Sequence, residues 1–223
     1  MPKPPAALAR WPAMLALAGV LAGCLGFADG KAVDSVLVAR GEVGVAGPRG
    51  YCIDTGATRD TAAGAFVLLG SCAALSGNPR APHPDRPAIL TAAVSDAGAG
   101  PSIAGALSDL PEFLATRAGR ASLSRTGDPD SVTLHSATAR NGILWLHVRD
   151  TAGHESLGIE PDYWRAVFDL GPRIVTLSVM VPAGKTLLPG GAEATLEQFL
   201  RRMGEVNARG AAADAQGAPG GPG

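Results

Sequence analysis

Aromatic side chains are scarce, 4% of 223 residues, and charged ones make up only 17%. Aliphatic and alanine side chains must therefore fill any core. Hydrophobic residues reach 46%, enough for one folded domain and inconsistent with a disordered chain. There is no excess of basic residues: the net charge is −1 and the isoelectric point about 6.4. Nothing supports the neutralisation of many phosphates, so nucleic acid is not an expected partner. No apolar run reaches the roughly 18 residues of a membrane-spanning helix. Only three cysteines occur, and no CxxC pair is among them, which leaves neither thioredoxin chemistry nor a zinc ribbon.

The first 23 residues have the layout of a secretory signal peptide. Lys3 and Arg10 supply the positive start, and no acidic residue precedes Asp29. A short apolar run, Ala13 to Val20, follows and is too short to span a bilayer. It ends in Leu21-Ala22-Gly23-Cys24. This tetrapeptide resembles the bacterial lipobox, and the resemblance implies that Cys24 is lipidated and that the peptide is cut before it. Two or three acyl chains give stable attachment where one gives only marginal binding. Leu25 rather than Asp follows the cysteine, which by the same resemblance points to the periplasmic face of the outer membrane. The mature chain would carry a net charge of −3 once Lys3 and Arg10 are removed.

Cys52 and Cys72 remain as an even pair in an oxidising compartment, one at each end of an expected hairpin. A disulfide between them is expected; the alternative is two buried thiols acting as small hydrophobes.

Residues 24–35 read as a tether, 36–207 as a single α+β domain, and 208–223, rich in Gly, Ala and Pro, as a disordered tail. Strands are expected at 36–38, 51–54, 65–70 and 89–94, with Phe66-Val67-Leu68-Leu69 buried on both faces. Four prolines between 76 and 87 mark an exposed loop. A helix is expected from Leu110 to Ala118, with Asp109 as N-cap. Asn141-Gly142 sets a type I′ hairpin between Val132–Thr138 and Ile143–Val148. A second hairpin joins Trp164–Leu170 to Ile174–Val181, and its Val175, Leu177, Val179 and Val181 face one side. The last helix, 192–207, carries the stripe Leu196, Phe199, Leu200, Met203 and Val206. Strands, helix, two hairpins and a helix imply an antiparallel sheet built from hairpins and covered by two main helices.

That element order, with Tyr163-Trp164-Arg165 and Arg173-Ile174-Val175-Thr176-Leu177 ahead of a final helix, resembles the PsbP/DcrB-type superfamily. The chain also resembles lipoproteins of unknown function from GC-rich alphaproteobacteria. The superfamily resemblance implies an accessory or assembly role.

Catalytic motifs are incomplete. Gly70-Ser71-Cys72 lacks the second glycine of a serine-hydrolase elbow. Gly184-Lys185-Thr186 ends like a P-loop, but Val179 stands at the first glycine position. Gly98 and Gly100 are followed by Pro101 outside any βαβ unit. No cofactor is expected. One polar concentration is left: His147, Asp150, His154 and Glu155 are residue types that ligate zinc. The preferred reading is a strand end running into a solvated turn. Strict alternation from Asn141-Gly142 pairs His147 with Ser136 and turns His135 to the opposite face. His83 lies in the proline loop. Trp145, Tyr163 and Arg165 could share a wetter sheet face.

The expected function is a non-catalytic, lipid-anchored envelope protein that binds a partner protein or envelope component. The alternatives are a metal-dependent periplasmic hydrolase using His147, Asp150, His154 and Glu155, and a structural envelope protein.

Overall fold

The computed structural model describes residues 33–98 and 100–217. The signal segment 1–23, Cys24 and most of the tether lie outside the described residues, as do 218–223.

The first two strands, β1 (Ser35–Val38) and β2 (Val43–Ala46), form a small hairpin. Next come β3 (Tyr51–Thr61) and β4 (Gly64–Ser71), which also pair as a hairpin. The short α1 (Cys72–Ser76) closes β4, and β5 (Ile89–Ser95) follows the proline loop. Three short helices come next: α2 (Ile103–Ala106), α3 (Leu110–Ala115) and α4 (Arg117–Leu123). The last strands are β6 (Val132–Arg140), β7 (Ile143–Asp150), β8 (Ile159–Leu170) and β9 (Arg173–Pro182), and α5 (Gly191–Gly217) ends the described chain. Strands β3 to β9 build one sheet in the spatial order β3-β4-β5-β9-β8-β7-β6, with every neighbouring pair antiparallel. The fold is α+β, as the order of apolar segments implies.

Helix α5 lies on one face. Its Leu196, Phe199 and Met203 are buried against Val175, Leu177 and Val179 of β9, together with Val43 and Val45 of β2. Each such side chain contributes roughly 1.5–3 kcal/mol by leaving water. The opposite face is covered mainly over β6–β8, where α3 and α4 bring Leu114 and Leu123 onto Leu144, Leu146 and Val148. This partial cover explains one departure from the sequence. Val67 and Leu69 are buried, but Phe66 is 42% exposed, because among the described residues the outer face of β4 is covered only at its end, where Leu75 of α1 lies over Gly70. Strand β4 is thus buried on one face, not both.

The single helix expected at 110–118 is two helices. Thr116 is extended (φ −69°, ψ 165°), and its Oγ1 accepts a hydrogen bond from Gly119 N. Gly119 then packs directly on α3: a Cβ there would meet Phe113 O at 2.1 Å. The glycine allows the chain to fold back so tightly. The final helix runs to Gly217, past the expected end at residue 207, and the stretch 208–217 assigned to a disordered tail is helical. Residues 211–213 are all alanine, the strongest helix former.

The Asn141-Gly142 turn has the two positive φ values a type I′ hairpin needs, 52° and 77°. The Cys52–Cys72 disulfide is present across the base of the β3–β4 hairpin, closing a separation of 20 residues.

Both tyrosines are buried. Tyr51 donates to Arg86 O, and Tyr163 donates to Leu123 O. Burial pushes the Tyr51 phenol up to about 12 and raises that of Tyr163 as well. An unfolded chain ionises its tyrosines near pH 10. Their contribution to stability is therefore complete below about pH 10 and is lost as the pH climbs towards the folded values. An alkaline titration followed by tyrosinate absorbance should stay flat through pH 10 in the folded protein and rise with unfolding. A normal tyrosinate rise at pH 10 without unfolding would contradict the buried placement.

Candidate functional site

Position 135 is where the β6–β7 ladder departs from strict alternation. In the β6–β7 ladder Leu134 pairs with Val148 and Ser136 with His147, so His135 is an extra residue, a β-bulge. Two residues of β6 then oppose one of β7, and the inserted side chain is re-aimed. The expectation that His135 points away from His147 is overturned: their ring centroids lie 4.6 Å apart. The register Ser136↔His147 itself is as expected.

Strand β8 completes the group. It pairs His147 with Trp164 and Arg149 with Asp162. The His147 ring stacks on Trp164, with centroids 4.7 Å apart and planes 7° from parallel. Asp162 Oδ1 lies 3.2 Å from His135 Nε2 and 3.9 Å from His147 Nε2, and Oδ2 accepts from Arg149 Nη1 at 2.5 Å. Burial lowers the His147 pKa, and the neighbouring His135 lowers it further, against the pull of Asp162 and Glu193. His147 is thereby biased towards the neutral imidazole.

This group borders an open cleft of about 490 Å³ between β8 and the loop leading into α5, lined by His147, Glu160, Asp162, Trp164, Lys185 and Leu188. Gly184 N donates to Glu160 Oε1 at 2.8 Å, so the Gly184-Lys185-Thr186 segment is a turn that carries an exposed lysine. Nearby, Arg140 sits 3.9 Å over the Trp145 ring and pairs with Glu193 at 3.0 Å.

A second cavity, about 410 Å³, lies beside the proline loop and is lined by Arg49, Tyr51, Arg80, His83, Arg86 and Gln198, among others. Its three arginines make no ion pair among the described residues.

The four residues that the sequence offered as ligands are not brought together. Asp150 is fully buried at the end of β7 and is consumed by structural bonds. It accepts from Arg125 N (2.8 Å), Ser131 Oγ (2.8 Å) and Ala152 N (3.0 Å), and it pairs with Arg125 Nη1 at 3.2 Å. His154 donates through Nδ1 to Thr151 O at 2.8 Å, within its own turn. Glu155 is exposed on the same turn. Of the four, only His147 joins the group that forms: among the described residues His135, His147 and Asp162 are the one set of three potential ligands close enough to share an ion.

The wetter face suggested for Trp145, Tyr163 and Arg165 does not exist as one surface. Trp145 is buried in the α5-side core, while Tyr163 is buried on the other side, with the Arg165 guanidinium 4.9 Å from its ring.

No family model, curated protein or solved structure matches this chain.

Proposed function

We propose that this chain is a non-catalytic binding lipoprotein of the bacterial cell envelope. Cys24 carries the lipid, the membrane contact is the periplasmic face of the outer membrane, and the folded domain holds a partner protein or envelope component. The observation that carries the reading is the Cys52–Cys72 disulfide. Such bonds persist in oxidising compartments, and pairing these two leaves Cys24, behind Leu21-Ala22-Gly23, as the one cysteine for the lipid. Two open clefts give the domain surfaces to hold with. The accessory character rests on analogy with the PsbP/DcrB-type superfamily alone.

Metabolic labelling with radioactive palmitate tests the anchor. The protein should take up label, and Cys24→Ser should abolish it and leave the chain unprocessed or free of the membrane. An unlabelled wild-type chain whose mass begins at Met1 would refute the reading. Crosslinking in native membranes would then capture the partner.

A further inference from the structure

We propose that His135, His147 and Asp162 form a binding site for a divalent transition-metal ion, with Zn²⁺ the ion it suits best. The inference rests on side-chain geometry and holds whether or not Cys24 is lipidated.

Zinc takes nitrogen and oxygen ligands at 2.0–2.2 Å in a tetrahedron, which places neighbouring ligand atoms about 3.3 Å apart. His135 Nε2 and Asp162 Oδ1 already stand at 3.2 Å. His147 Nε2 is 3.9 Å from the same oxygen, and all three atoms lie within 4.8 Å of one another. Closing the set requires the widest pair of ligand atoms to approach by up to about 1.5 Å, within the reach of rotations in side chains that are partly exposed. Hydrogen bonding alone accounts for only one ring, since 3.9 Å is beyond hydrogen-bond range. A metal gives both ring nitrogens a partner at once.

The surroundings suit a cation. Arg149 holds Oδ2 and leaves Oδ1 for the ion, the outer contact that orients a ligating carboxylate. Trp164 fixes the plane of His147 by stacking. Asp162 and Glu160 line the adjoining cleft against Lys185, and Glu193, though paired with Arg140, adds to the pull on His147. Two imidazoles and a carboxylate suit Zn²⁺ over hard ions such as Mg²⁺ or Ca²⁺, which select all-oxygen shells. Three protein ligands leave a fourth position, and His147 and Asp162 both line the cleft. A partner or small ligand entering there could complete the coordination.

The test uses the full-length protein, stripped with chelator and titrated with Zn²⁺ alone. Calorimetry should give one ion per chain. The chain has four histidines, so imidazole NMR is decisive: the His135 and His147 ring signals should move, and those of His83 and His154 should not. His135→Gln and Asp162→Asn should each weaken binding by about tenfold or more. His154→Gln should bind as wild type does. Circular dichroism of the metal-free variants checks the fold, and His135, on an exposed bulge, should tolerate glutamine. Zn²⁺ should raise the melting temperature of the wild type but not of these two variants. Zinc binding unchanged in both, or His135 and His147 signals that stay still under excess Zn²⁺, would overturn the proposal.

Discussion

Asp150→Ala should remove about 3–5 kcal/mol of folding stability, the cost of breaking a buried charged pair from one side. The carboxylate has no exposed surface, and both of its oxygens are occupied. It ties the end of β7 to the chain leaving α4 through Arg125, and to Ser131 ahead of β6. Alanine would strand two backbone N–H groups, a hydroxyl and a guanidinium that is itself mostly buried. For a domain of this size the loss corresponds to a fall in melting temperature of roughly 6–20 °C. Asp150→Asn keeps the shape and one acceptor and should cost less, about 1–3 kcal/mol. Urea titration of the three proteins checks the order. An alanine variant as stable as wild type would mean that the loop is held by something other than this carboxylate.

Loss of the disulfide comes next in size. Cys52 and Cys72 are both buried, and their bond closes a loop of 20 residues. In the chain-entropy account such a closure restricts the unfolded chain and stabilises by about 3 kcal/mol. The Cys52→Ala, Cys72→Ala double variant should therefore unfold at distinctly lower urea, and dithiothreitol should destabilise the wild type but not the double variant. Equal sensitivity of the two proteins to reductant would contradict the bond's contribution. Because the bond lies at the base of β3 and β4, the loss should concentrate at that end of the sheet, which local hydrogen exchange can resolve.

Much of the fold was legible from period and punctuation. Alternation at Val175, Leu177 and Val179 named the buried face of β9, and the stripe Leu196, Phe199 and Met203 named the face of α5 that covers it. Asn141-Gly142 fixed one turn, and the even cysteine pair anticipated the bridge. Strand β2 escaped notice because Val43-Gly44-Val45-Ala46 is short, and its burial comes from the distant α5, where Gly44 meets Val206 and Asn207. The break at Thr116 was hidden because Gly119 in isolation reads as a weak point in a helix, not as a contact surface.

The candidate site was less legible, and the reason is a phase shift. Alternation is a counting rule, and one inserted residue at His135 resets the count. No local signal marks a bulge there. Asp162 could have been found: β8 begins at Ile159 rather than at Trp164, and extending the strand back sets Asp162 opposite Arg149. His154 and Glu155 enter as alternative ligands only because they are close to His147 in sequence. In a hairpin sheet, proximity across the ladder matters more than proximity along the chain.

The staple at the base of the β3–β4 hairpin also bears on resistance to proteases. The far end of this hairpin, the second half of β3 together with the turn at residues 62–63, is its most exposed part. A cut there would divide the chain into two pieces still joined through sulfur. Both pieces would keep their places in the ladder, and, on the reading proposed above, a lipid on the first piece would go on tethering the second. A nicked molecule would thus remain one covalent unit until a reductant reached it.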